Sequence, residues 1–446
     1  MTSQDRPERS KGRFHHARSA HRARAHESAH AEDSDGGADH VPAVAHPLVP
    51  RGPADLITTD EQLEELIAHL RSAGGFAFDS EFIGEMTYFP QLCLVQAATA
   101  QRVALIDPLA GVELRPFWEL VADASVEKVV HAGQQDIEPV FRHIGQTAAN
   151  VFDTQIAAGL AGLPYPLSLS KLVQEMAGAR LGKGLTFSHW DQRPLSAMQL
   201  RYAADDVRYL PLVRSELGKR LDALGHAAWV AEECAALCDP VLYRFDPDTY
   251  YQRVRGATSL QPRNLAVLRE LTIWRDATAR EENVPPRSLL KDEILIDLSR
   301  NPAKSVEKLD RVRGLPRPVE KAHGQRIVDA TLRAMATPAP NLSAGRDVEP
   351  TPTERFRSDS LWATAQALCM GRSIDSAVAL SRQDCSELYR ALAGKQDLGD
   401  LRVMQGWRRE ALGERLVRLY EGAETVSLGW SDGSLRAELS TTPGQA

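Results

Sequence analysis

Phe76-Ala77-Phe78-Asp79-Ser80-Glu81-Phe82 is the stretch on which the reading of this chain turns. Its aromatic residues predict a β-strand. Period-two alternation then places Asp79 and Glu81 on one face and Phe78 and Phe82 on the other. Charged side chains seldom sit in an otherwise apolar strand without a partner. Two neighbouring carboxylates repel and raise each other's pKa. A divalent cation resolves that conflict, and hard oxygen ligands suit Mg²⁺ or Mn²⁺. Taken alone, the pair also fits a solvated edge strand.

Working outward, Thr59-Asp60-Glu61-Gln62-Leu63 predicts a helix start, with Leu63, Ile67 and Leu70 on one face. Gly74 and Gly75 end that helix. After the Asp79 strand come two more, at Leu92–Ala97 and Val103–Ile106, with Asp107-Pro108 as a turn. Three strands so close in sequence predict an antiparallel meander. Helix and strand then alternate: Phe117–Ala122, Lys128–His131, Asp136–His143 and Val151–Asp153. That alternation predicts an α/β sheet with crossover helices. From Thr154 to Leu237 the pattern is mostly helical.

A chain of 446 residues calls for more than one core. Residues 1–52, rich in His, Arg and Ala, read as a disordered tail. Residues 53–240 form the α/β unit. Residues 248–336 read as a small all-α domain, punctuated by Val284-Pro285-Pro286, Asn301-Pro302 and Gly314-Leu315-Pro316. Residues 337–355 read as a Pro- and Thr-rich linker. Residues 356–446 read as a second helical domain, ending in a hairpin around Asp432-Gly433.

Hydrophobic residues make up 43% and charged residues 25%, the balance of a soluble globular chain. No apolar run is long enough for a bilayer, and the N-terminus lacks a secretory core. A cytoplasmic protein is expected. The five cysteines are odd in number and scattered, which argues against a disulfide framework. Cys234 and Cys238 lie one helical turn apart and read as buried helix positions. The net charge of −7 neither favours nor excludes a nucleic-acid partner, because clustered acids at a metal site would contribute to it.

Two further acidic signals matter. Asp136 follows the strand Val129-Val130-His131 and the turn Ala132-Gly133-Gln134-Gln135, so it opens a helix at a strand's carboxyl end. A helix-dipole acid would sit there as well. Tyr202 and Asp206, in Tyr202-Ala203-Ala204-Asp205-Asp206, are four apart and share a helix face. Each signal alone has an ordinary structural explanation, but their order and spacing are specific. With Tyr88–Gln96, Phe152-Asp153-Thr154-Gln155 and Leu181–Leu195, which carries Lys183, Ser188 and Trp190, the chain resembles ribonuclease D from about residue 55 to 240. Leu265–Gly314 looks like the helical domain that ribonuclease D shares with certain helicases, known as HRDC. Gly406-Trp407-Arg408-Arg409 looks like a second, degenerate copy.

The resemblance implies a ribonuclease H-like 3′-to-5′ exonuclease domain followed by small all-α helical domains. It implies two Mg²⁺ or Mn²⁺ ions held by Asp79, Glu81, Asp136 and Asp206, roughly 3.5–4 Å apart. Tyr202 would orient the attacking water, which places the chain in the tyrosine branch of the four-acid superfamily. The expected substrate is RNA with a free 3′ end, such as a transfer RNA precursor, shortened to 5′-mononucleotides by a monomeric enzyme. Gln96, Lys183, Ser188, Trp190, Arg311 and Arg313 would contact the nucleic acid, with Arg317, Lys321 and Arg326 beside them. Two other readings remain open. One is a DNA exonuclease of repair type, which would use the same acids. The other is a nucleic-acid-binding platform without activity.

Overall fold

The computed structural model describes residues 44–84, 86–182, 189–336, 351–431 and 434–441. Lys183, Ser188, tail residues 1–43 and linker residues 337–350 lie outside these described residues.

The α/β unit runs β1 (Asp55–Ile57), α1 (Asp60–Ser72), β2 (Gly75–Ile83), β3 (Gln91–Ala98), β4 (Val103–Ile106), α2 (Arg115–Ala122), β5 (Glu127–Val130), α3 (Gln134–Ile144) and β6 (Val151–Asp153). Five helices follow: α4 (Thr154–Leu160), α5 (Leu169–Ala177), α6 (Ala197–Arg208), α7 (Leu210–Leu224) and α8 (Ala227–Ala236). Thr59 caps α1 by accepting the Gln62 N–H, and the Gln62 side-chain oxygen in turn accepts the Thr59 N–H. Gly74, at φ 72°, turns the chain into β2.

The sheet order is β1-β4-β3-β2-β5-β6. The predicted meander is present, since β2, β3 and β4 pair antiparallel. The remaining pairs, β1 with β4, β2 with β5 and β5 with β6, are parallel. One core covers the face carrying Phe76 and Phe78, which pack on Phe117 of α2 together with α1 and α3. Helix α6 crosses β2, β3 and β4 on the opposite side.

The end of the expected tail is part of the fold. Val49 is 2% exposed, and Arg208 Nη1 donates to the carbonyls of Pro50 at 2.7 Å and Gly52 at 3.1 Å. Apolar Val49 and a guanidinium with two carbonyl acceptors hold a segment whose composition resembles the tail before it.

The all-α unit consists of α9 (Pro262–Glu281), α10 (Pro286–Leu289), α11 (Asp292–Arg300) and α12 (Arg317–Ala336), around a core of its own that includes Leu271, Trp274, Leu295 and Ile327. Beyond it come α13 (Pro352–Gly371), α14 (Ser376–Ala379), α15 (Arg382–Ala393), α16 (Gly406–Arg408), α17 (Glu414–Tyr420) and the hairpin β7 (Glu424–Ser431) and β8 (Ser434–Thr441). The expected linker ends early. Thr351 and Glu354 form a capping box, so helix begins at Pro352. Among the described residues, the buried apolar side chains of this last region form no cluster of their own. Leu368, Val378, Leu388, Trp407 and Leu412 belong to one cluster with Ile156, Leu172, Val213 and Trp229 of the α/β unit. No helix among the described residues is long and apolar enough to cross a membrane.

Lys128 of β5 is 0% exposed, and its Nζ donates to the carbonyls of Asp123 at 2.5 Å and Val126 at 2.6 Å. Burial pushes this ammonium down to about 8 from 10.5. Below pH 8 the folded and unfolded chains both carry the proton, and the burial penalty is in force. Between 8 and 10.5 the folded chain releases its proton first, so this contribution to stability rises with pH. The melting temperature of the wild type relative to Lys128→Met should therefore rise from pH 7.5 to 9.5. A constant difference would refute the assignment.

Candidate active site

The site is built on β2 and α6. Ser196 and Gln199 form a capping box that fixes the start of α6. One turn apart on that helix, Tyr202 and Asp206 face the sheet strands that carry the acids. Carboxylate oxygens of Asp79, Glu81 and Asp206 all lie within 4.8 Å of one another. Three negative charges so close, with Asp206 only 9% exposed, strongly oppose one another's ionisation. Three convergent hard oxygen donors fit a divalent cation.

Gln96 sits directly across from Asp79 in the β2–β3 register, on the same sheet face. Expected at the nucleic acid, this side chain is instead fully buried, and neither amide atom has a hydrogen-bond partner among the described residues. Such a group is costly to leave unmatched, which is a mark of a polar site rather than of packing. The strict alternation expected of β2 ends here. A bulge between Glu81 and Phe82 leaves Cys93 as the extra residue on β3, because Glu81 pairs with Leu94 and Phe82 with Leu92.

The structure does not bring Asp136 into the trio. Its Oδ1 instead accepts the hydroxyl of Ser80, the residue between Asp79 and Glu81, at 2.5 Å. The turn before it is held by Asp153, whose carboxylate accepts from the N–H groups of Ala132 and Gly133 at 3.1 and 2.9 Å and also caps α4 at Gln155. Asp153 thus orients backbone groups, as its place at a strand end suggests. No side chain fits at Gly133, where a Cβ would meet Val130 at 2.4 Å. No local pattern marks Ser80, since its partner lies 56 residues away. The Ser80→Ala variant should need about 10- to 100-fold more Mg²⁺ for half-maximal activity, the usual effect of losing a group that orients a metal-site acid. An unchanged Mg²⁺ titration would show that Asp136 is positioned without Ser80.

Trp190 requires a correction. It is 4% exposed and packs against the Tyr202 ring, centroids 6.2 Å apart, so it is too sealed to stack on a base. Arg311 and Arg313 are exposed and form no ion pair among the described residues, as phosphate contacts require. Arg317 is paired with Asp310 and Glu320, and Arg326 with Glu281, so these two are less available.

One connection has no counterpart in the sequence reading. The Tyr88 hydroxyl donates to Asp276 of α9 at 2.7 Å and accepts from Arg280 at 3.0 Å. Asn283 accepts from the Tyr88 N–H, and Arg280 lies over the Tyr88 and Phe89 rings. Burial and the Asp276 hydrogen bond push the Tyr88 phenol up to about 12, which keeps it a donor. The β2–β3 loop is therefore joined to the all-α unit.

Residues 55–222 match the 3′-5′ exonuclease family, and residues 264–331 match the HRDC domain. The chain is 38% identical to a ribonuclease D of Gluconacetobacter diazotrophicus, over 82% of this chain and 93% of that one. It is 37% identical to the ribonuclease D of Granulibacter bethesdensis, over 82% and 92%. The crystal structure of Escherichia coli RNase D, an exoribonuclease involved in structured RNA processing, superposes with a TM-score of 0.71 at 28% identity, covering 82% of this chain and 98% of that one. With its acidic site on β2 and α6, its exonuclease sheet and its helical region, the chain belongs to the ribonuclease D family of 3′-to-5′ exoribonucleases.

Proposed function

We propose that this enzyme trims the 3′ ends of small structured RNAs, transfer RNA precursors among them, and acts as a monomer. The observation that carries the chemistry is the convergence of Asp79, Glu81 and Asp206 oxygens within 4.8 Å. These three acids would hold two Mg²⁺ or Mn²⁺ ions, with Asp136, fixed by Ser80, as the fourth. When bound, such ions supply an activated water and neutralise charge on the scissile phosphate and leaving 3′ oxygen. The chain's own residues do the rest. Tyr202, one turn from Asp206, orients the water and takes a hydrogen bond from it. Gln96, sealed across from Asp79, would keep its unmatched amide as a polar group at the edge of that site. Arg311 and Arg313 contact RNA phosphates. The RNA preference is supported by the family and by the HRDC domain after the nuclease, since the acids alone suit DNA equally well.

The test is mononucleotide release from a 3′-tailed RNA hairpin and from the DNA of the same sequence. Stepwise shortening of the RNA, abolished by chelator and restored by Mg²⁺ or Mn²⁺, is the expected result. Equal or faster shortening of the DNA would favour the repair-type reading.

A further inference from the structure

We infer that Arg193 is a positioning residue for Tyr202, acting through Trp190. This rests on the reading of Tyr202 as the group that orients the attacking water. A phenol can do that only if its ring is held in one place. The partner ring of Tyr202 is Trp190, at 6.2 Å and 40°. Trp190 is 4% exposed, in a small cluster with Cys93, Leu94, Leu105, Leu195 and Ala203 behind the site.

Trp190 belongs to neither a helix nor a strand, so no backbone ladder fixes it. Arg193 does. Its Nε and Nη2 donate to the two carboxylate oxygens of Asp107, both at 2.6 Å. Nη1 donates to the carbonyls of Trp190 at 2.7 Å and Gln192 at 2.8 Å, and Nη2 donates to the carbonyl of Cys93 at 2.8 Å. Every guanidinium N–H is used. The anchor itself is rigid. The Asp107 side chain is 5% exposed at the end of β4 and also caps Leu109 at 2.9 Å. Its hydrogen bonds and charge in turn hold the Arg193 guanidinium above its ordinary pKa.

The choice of acceptors is what points to catalysis. One carbonyl belongs to the residue that supports Tyr202. Another belongs to Cys93, the bulge residue beside Glu81. The clamp therefore joins the support of Tyr202 to the strand pair that presents Asp79 and Glu81. Lysine carries the charge but cannot reproduce a planar fork with five donors.

The experiment measures kcat and KM on the 3′-tailed RNA hairpin, with melting curves, for Arg193→Lys, Tyr202→Phe and the double variant. Arg193→Lys should lower kcat about 10- to 100-fold, as small displacements of reacting groups do, and leave KM within about twofold. In the Tyr202→Phe background the same change should cost less than about twofold more, because the hydroxyl it positions is gone. Should Arg193→Lys fail to fold, Trp190→Phe in the same two backgrounds carries the test. Equal losses in both backgrounds would overturn the inference and make the clamp a general fold element. So would a raised KM with unchanged kcat, which would make the segment an RNA contact. A Tyr202→Phe enzyme with wild-type kcat would instead overturn the reading of Tyr202, and this inference with it.

Discussion

The Asp79→Asn variant is expected to fold as the wild type does and to release mononucleotides at least about 10³-fold more slowly, a loss of ~4 kcal/mol of transition-state stabilisation. The amide is the same size as the carboxylate, so packing against β3 is kept. What changes is charge: a neutral oxygen replaces an anionic donor within 4.8 Å of Glu81 and Asp206. Without metal, that removal relieves repulsion among three acids, so the metal-free variant should melt no lower than the metal-free wild type. With metal the order should reverse, because only the wild type gains stability from tight binding. Melting curves with chelator and with Mg²⁺, beside the hairpin assay, read both effects. A large loss of stability in chelator would mean that Asp79 is a structural acid.

A chain ending at Ala336 should lose its cooperative fold. The region from Pro352 onward is an inner wall of the nuclease rather than an appended module. Trp407 stacks on Trp229 at 5.7 Å, and its N–H groups reach Glu232 and Glu233. The Arg408 guanidinium grips Glu233 with two hydrogen bonds of 2.6 Å and donates to the carbonyls of Ala379 and Val378. Each buried Leu, Val or Trp of this wall contributes about 1.5–3 kcal/mol. A handful of them equals the ~5–15 kcal/mol by which a domain is stable. The truncated chain should show no sharp melting transition and no near-ultraviolet dichroism. A sharp transition near the wild-type temperature would prove the wall dispensable. Arg408→Ala tests the same wall more gently, costing about 1–3 kcal/mol because it leaves the half-buried Glu233 without its guanidinium. Burial pushes the Glu233 carboxyl up, but hydrogen bonds and charge from Arg408 outweigh that and leave it lowered. The pair's stabilisation is therefore present above the ordinary glutamate pKa and fades as pH falls through the lowered one. The gap between wild type and variant should shrink in acid.

The parts of this molecule that were legible in its sequence are those written in short periods. Asp79 and Glu81 follow a two-residue repeat, and Tyr202 and Asp206 a helical one, so their convergence could be anticipated. Long strands and capped helices were equally plain. β1 was missed because three residues carry no period. The Ser80 bond to Asp136, the burial of Trp190 and the anchoring of residues 49–52 were missed because each depends on a partner far along the chain. The shared core was missed because an apolar helix face states that it is covered, not by what. Arg317 and Arg326 looked like free cations because their acidic partners could not be assigned without coordinates.

The joint between Tyr88 and α9 bears on how often an RNA end finds the acids. A helical domain swinging on a loose tether would offer its cargo to a large volume and dilute it. Here Asp276, Arg280 and Asn283 pin that domain to the loop leaving the catalytic strand. RNA bound as proposed on Arg311 and Arg313 would thus be confined near the acids, and its 3′ end would sample them at a high effective concentration. On that reading the joint would make successive encounters with one molecule local events, returning a shortened end to the acids.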